Sequence, residues 1–183
     1  EQSGQIQEVG FSMYSELLDR AVKALKSGQV PNLDQPLDQH AEVDLRIPAL
    51  IPEDYLPDVH TRLVMYKRIA NAADEEDLRE LQVEMIDRFG LLPEQAKNLI
   101  RVTELKLKAE PLGIKKIEAG PQGGRLMFSQ KPNIDPMRII DLIQHKSRIY
   151  KLDGQDKLRF TMPTETPEQR IEVVEKVLHE LSA

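Results

Sequence analysis

Between Asp74 and Asp87 the chain carries seven carboxylates (Asp74, Glu75, Glu76, Asp77, Glu80, Glu84 and Asp87) against one base, Arg79. That window alone has a net charge of −6, equal to that of the whole chain. Catalytic carboxylates are usually pushed to unusual pKa by burial, and such a polar stretch predicts solvated surface instead. The spacing suggests docking. Leu78, Leu81, Met85 and Phe89 recur three and four residues apart, the apolar stripe of an amphipathic helix. Asp77, Glu80, Glu84 and Asp87 recur at the same interval on another face. Like charges so placed are neighbours and destabilise an isolated helix by roughly 0.2–0.5 kcal/mol per pair. The helix dipole favours acids in the first turn, which accounts for Asp74 to Asp77 but not for Glu84 and Asp87. A row that costs stability without internal benefit points to a basic partner, with arginines as the natural match.

Other chemistry is sparse. His40, His60, His145 and His179 are scattered, and no pair has metal-ligand spacing. There is no Cys and no Gly-x-Ser-x-Gly elbow. Gly120-Pro121-Gln122-Gly123-Gly124 lacks the Gly-Lys-Ser/Thr ending of a nucleotide loop and falls between two strand patterns, so it predicts a hairpin turn. The pair Glu53-Asp54 lies on a polar stretch. Lys115, Lys116, Arg125, Lys131, Lys146, Arg148, Lys151, Lys157 and Arg159 could line one sheet face. With four Phe, four Tyr and no Trp, the chain has few stacking groups, and no ribonucleoprotein-type aromatic motif falls on a strand. These features predict no catalytic residue, metal or cofactor in this stretch.

The elements that must position the acids follow from periodicity. Phe11–Lys26 predicts a helix, and residues 29–41 a linker. Glu42–Ile47 alternates as a strand. A helix should follow Pro57 and run to about Ala72, with Val59, Leu63, Tyr66 and Ile69/Ala70 inward. Asp74 should cap the acidic helix, with Asp77 as a weak capping-box acid, and Gly90 should end it. A third helix spans about Pro93–Glu110. The period then changes to two. Ile114–Ala119, Arg125–Ser129, a helix at Pro136–His145, Arg148–Leu152, Lys157–Met162 and a helix from Pro167 give the order ββαββα. The class is α+β: a mainly antiparallel sheet of two β-hairpins with helices packed on it, plus an N-terminal helical group. Residues 1–41 separate from a domain at 42–183, in which 42–112 is mostly helical.

With 183 residues, 40% apolar and 31% charged, the chain can bury a core. Residues 1–112 carry 21 acids and 13 bases, net −8, whereas 113–183 carry 10 and 12, net +2. The acidic balance repels phosphate backbones. No apolar run reaches the length of a membrane span, and the absence of Cys fits a reducing cytosol, so a cytoplasmic location without a membrane partner is expected. The opening Glu1-Gln2-Ser3-Gly4 has neither an initiator Met nor a signal pattern, and suggests part of something longer.

Three stretches carry a resemblance: QSGQIQEVGF at 2–11, PDVHTRLVMYKRIANA at 57–72 and EMIDRFGLLPE at 84–94. The chain resembles bacterial transcription-repair coupling factors along essentially its whole length. In that family a superfamily-2 DNA translocase dislodges RNA polymerase stalled at a lesion and recruits excision repair. The resemblance implies that the first residues are the tail of the translocation motif, with Gln2 matching its glutamine. It places the ATPase lobes, with their ATP and Mg2+, before this chain, which would then hydrolyse no ATP alone. It implies a C-terminal regulatory domain that clamps an amino-terminal module resembling UvrB and hides the surface that recruits UvrA. Glu84 and Asp87 match the acidic positions expected to meet basic residues of that module. The parent would bind RNA polymerase, double-stranded DNA and UvrA. The alternative expectation is a nucleic-acid-binding appendage of the translocase.

Overall fold

A computed structural model describes residues 41–182. The expectations at Gln2, over Phe11–Lys26, at residues 29–40 and at His40 lie outside the described residues. Two compact units divide the remainder: Pro48–Thr103, and the segment through Ile47 together with Glu104 onward.

The first unit is helical. Helix α1 spans Val59–Ala70, α2 Glu75–Phe89 and α3 Glu94–Ala109, the last turns of α3 belonging to the second unit. Asp58 caps α1 by accepting from Thr61 N at 3.0 Å. The inward stripe of α1 is Arg62, Met65 and Ile69; of the expected set Ile69 is buried and Leu63 and Tyr66 are half-buried, but Val59 is 51% exposed and Ala70 is also exposed. Hydropathy could not foresee this, because the helix turns an arginine inward. Buried Arg62 donates to the Leu56 carbonyl at 3.0 Å and so closes the irregular run of prolines before the helix. That run is held by side chains as well as backbone. Tyr66 Oη accepts from Ile51 N at 2.8 Å, and buried Asn98 donates to the Pro48 carbonyl at 2.9 Å. Tyr55 Oη reaches the carbonyls of Met85 and Gly90, at 3.1 and 2.9 Å, and its ring meets Phe89 edge-on at 6.2 Å. The C-terminus of α2 is thereby fixed in place.

The second unit is a five-stranded sheet in the order β1-β2-β3-β5-β4, with β1 Glu42–Asp44, β2 Ile114–Gly120, β3 Gly123–Phe128, β4 Tyr150–Leu152 and β5 Lys157–Phe160. Two helices accompany it, α4 Pro136–His145 and α5 Pro167–Ser182. The α+β class and the two hairpins are as the periodicity predicts. The addition is β1, which is shorter than expected and joins the edge of the sheet parallel to β2, Val43 opposite Ile117. Its partner lies some seventy residues away in sequence, and no local pattern encodes that pairing.

One sheet face is apolar. Ile117, Leu126 and Leu158 lie directly opposite one another and are fully buried, and Phe160 and Tyr150 extend the layer. Ile114 shares this face with Ile117 despite the odd spacing, because a register shift at Ile114/Lys116 inserts one residue. Helix α5 buries Ile171, Val174, Val177, Leu178 and Leu181. Lys146, at the end of α4, donates to Glu180 of α5 at 2.6 Å, and Tyr150 Oη donates to the same carboxylate at 2.5 Å. Burial pushes the Glu180 carboxyl up, but these two donors hold it below the usual carboxylate range.

The β2–β3 hairpin turn is tight. Thr164, fully buried, accepts from Gly123 N at 2.7 Å and donates to the Gly120 carbonyl at 2.6 Å. Gly123 has φ +117, and a Cβ there would lie 2.5 Å from the Phe160 carbonyl oxygen.

Arg170 of α5 is 7% exposed. Its guanidinium donates to four carbonyls: Thr164 at 2.8 Å, Glu165 at 2.9 Å, Arg46 at 3.2 Å and Leu45 at 3.3 Å. It ties β1 and the loop after β5 to the helix. We predict that Arg170→Met, which keeps the packing stem but orphans those carbonyls, lowers the stability of this unit by about 2–4 kcal/mol. Urea unfolding followed by circular dichroism measures it, and a loss near zero would show that water replaces the guanidinium.

Candidate docking site on the acidic helix

Asp77 and Glu84 lie half-buried on the flank of the α2 core stripe of Leu78, Leu81 and Met85, whereas Glu80 and Asp87 lie exposed on its far side. They do different work there. Asp74 accepts from Asp77 N at 2.8 Å, and the Asp77 carboxylate accepts in return from Ala73 N at 2.9 Å. This is a capping box displaced by one residue. Asp77 is thus committed to the helix start.

Glu84 is committed as well. Arg68 of α1 grips it with both terminal nitrogens, Nη1 to Oε2 and Nη2 to Oε1, the latter at 2.9 Å. Arg88, one turn along α2, adds a third donor at 3.1 Å. Hydrogen bonds from Arg68 first and Arg88 second hold the Glu84 carboxyl at about 2. The same contact raises the Arg68 guanidinium. The window count stopped at Asp87 and passed over Arg88, whose spacing of four from Glu84 is legible in sequence. Arg68 comes from another helix and leaves no local signal.

Glu80 and Asp87 remain. Both are exposed, and among the described residues neither has a hydrogen-bond or ion-pair partner. At about 100° per residue they share a narrow stripe with Glu76 and Val83, opposite the core side. Val83 is 55% exposed, and Leu91, just past the helix end, is 85% exposed. Sequence reasoning missed both, because an apolar residue on a polar face looks like noise until its exposure is known. An apolar centre with unpaired acids beside it has the composition of an interface core and rim.

No three His, Asp or Glu side chains converge to hold a metal among the described residues. Nor is any described helix long and apolar enough to cross a membrane.

The model of the TRCF domain family matches residues 45–139. This chain belongs to that family. It is 50% identical over all 183 residues to the transcription-repair-coupling factor of Haemophilus influenzae, and 45% identical over 181 residues to that of Escherichia coli. A more distant relative from Myxococcus xanthus is 35% identical over 182 residues. The chain spans 16% of the length of the first two and corresponds to their carboxy-terminal region. A crystal structure of the C-terminal domain of a transcription-repair coupling factor superposes with a TM-score of 0.60, covering 78% of this chain and 94% of that one at 22% identity. At that identity the likeness concerns the fold. The TRCF match takes in α1, α2 and α3 whole and therefore includes the acidic stripe.

Because the Glu84 carboxyl titrates below its ordinary 4.5 in the folded chain, its pairing stabilises fully above pH 4.5 and is lost as pH falls towards about 2. We predict that Arg68→Ala moves the Glu84 titration midpoint back up towards 4.5, read from the side-chain carboxyl carbon by NMR. An unmoved midpoint would assign the grip to Arg88 alone.

Proposed function

We propose that this TRCF domain is an autoinhibitory docking module of a transcription-repair coupling factor. The stripe of α2 around Val83 grips the basic face of the UvrB-like module of the same protein and so masks the surface that recruits UvrA. The observation that carries this reading is the pair Glu80 and Asp87: two exposed carboxylates without partners among the described residues, flanking exposed Val83 and followed by exposed Leu91. The parent protein in this reading is an ATP-dependent translocase on double-stranded DNA that engages RNA polymerase. This domain contributes restraint and no bond-making step.

The energetics fit a releasable restraint. Exposed ion pairs contribute about 0.2–1 kcal/mol each, and a surrounded apolar anchor adds more by excluding water. Coupling between sites is typically about 1–3 kcal/mol, so a few such contacts suffice, and polymerase or DNA engagement of similar differential affinity can undo them. Glu84 takes part in the docked state by sharing its carboxylate with an incoming arginine or by exchanging Arg88 for it.

The discriminating variant avoids Glu84, whose loss would also disturb the packing of α1 on α2. Glu80→Lys with Asp87→Lys in the full-length protein removes no hydrogen bond or ion pair among the described residues. We expect UvrA binding without polymerase to rise about tenfold, the equivalent of about 1.4 kcal/mol. Binding that stays at the wild-type level would reject a clamp at this stripe.

A further inference from the structure

The face of the sheet opposite the apolar layer aligns one residue from every strand in a single row: Asp44, Glu118, Arg125, Arg159 and Lys151, each opposite the next. The row is acidic on β1 and β2 and basic on β3, β5 and β4. Side chains directly opposite on adjacent strands have Cβ atoms about 4.5–5.5 Å apart, and like charges there are destabilising. Three consecutive cations are therefore a standing cost to the sheet. Internal relief is partial. Glu118 meets Arg125 Nε at 3.0 Å but is shared with Lys116 at 2.9 Å. Asp153 reaches Arg159 only at 3.4 Å. Lys151 is exposed and has no ion-pair partner among the described residues.

A fourth cation is brought to the same place by a strained backbone. Arg46 has φ +54, alone among the described non-glycine residues in being positive. Its conformation is fixed from both sides: its N–H donates to Asp44 Oδ1 at 3.1 Å, and its carbonyl accepts from buried Arg170. The guanidinium lies against Gly120, where a Cβ would come within 3.2 Å of it, and has no ion-pair partner among the described residues. Arg46, Arg125 and Arg159 line one open cleft of about 610 Å3 above the hairpin turn. Arg170, bonded to the Arg46 carbonyl, has only carbonyl acceptors among the described residues, so no described carboxylate neutralises its charge. Backbone strain that the surroundings enforce, at a residue whose side chain has no internal partner, is a mark of function.

We infer that this cleft and the cation row form a second docking surface, which receives an acidic helix presented by a partner protein. Strands lie about 4.8 Å apart, so Arg125, Arg159 and Lys151 span about 10 Å. Carboxylates at i, i+3 or i+4 and i+7 of a helix are about 5–6 Å apart per step and cover the same length. A guanidinium fork donates to both oxygens of a carboxylate at once. A nucleic-acid backbone fits less well: phosphates continuing along the row would meet Glu118 and then Asp44.

The test is fluorescence anisotropy of the 183-residue chain with a labelled helical peptide bearing Glu at those spacings, and with a short DNA duplex in parallel. The peptide should bind in a salt-dependent manner, and Lys151→Gln with Arg159→Gln should weaken it about tenfold. Arg46→Gly should also weaken it while the melting temperature holds or rises, because glycine relieves the positive φ. The proposal is overturned if the peptide fails to bind, if it binds these variants as tightly as wild type, or if the duplex binds more tightly through the same residues.

Discussion

A backbone of fixed period brings side chains into register whether or not their charges agree, and this chain is shaped by how that conflict is resolved. On α2 the helical period stacks carboxylates, and the chain answers some of them internally: the helix start takes Asp77, and Arg68 with Arg88 takes Glu84. On the sheet the cross-strand register stacks cations, and among the described residues Glu118 and Asp153 answer them. In both places charge is left over on a surface, opposite a face that is fully committed to the core. The leftover is not a random residue of composition. It sits where the supporting elements are held by buried polar contacts, Tyr55 at the end of α2 and Arg170 beneath Arg46.

Those supports explain why the charged groups are presented so consistently. A buried arginine with carbonyl acceptors is a directional brace, because its planar fork satisfies several carbonyls only in one arrangement. Arg62 braces the irregular chain before α1, and Arg170 braces β1 against α5. Each brace acts through carbonyl acceptors, although Arg62 also meets Glu53 at 3.8 Å, and neither role is visible in hydropathy, which scores both residues as surface. The same blindness placed Val59 inward on α1, where the structure places Arg62.

Much of the fold was legible because most elements are local. Helices α2, α4 and α5 begin at Asp74, Pro136 and Pro167, where caps and prolines predict them, and the stripe Leu78, Leu81 and Met85 is buried as its spacing requires. What escaped was long-range. The parallel pairing of β1 with β2, the register shift beside Lys116 and the reach of Arg68 to Glu84 each join residues whose relation no window contains. The candidate site was half legible for the same reason. The charge pattern marks α2 as acidic, but which of its acids are already paired depends on partners such as Arg68 from another element.

That division changes the meaning of the acidic helix. If all four carboxylates were free, docking a basic partner would relieve three neighbouring repulsions, and the surface would be sticky towards any cation. With Asp77 and Glu84 satisfied, the docking proposed above would bring new partners mainly to Glu80 and Asp87, and cover to Val83 and Leu91. Specificity then depends on shape around the apolar pair, because screened exposed charges discriminate weakly. Glu84, with two guanidinium groups already gripping it, gains less from a third cation than a free carboxylate would, since each arginine must be partly displaced or shared. A contact of that kind would be readily reversed, as the proposed restraint requires. An all-free acidic face would hold harder and let go less well.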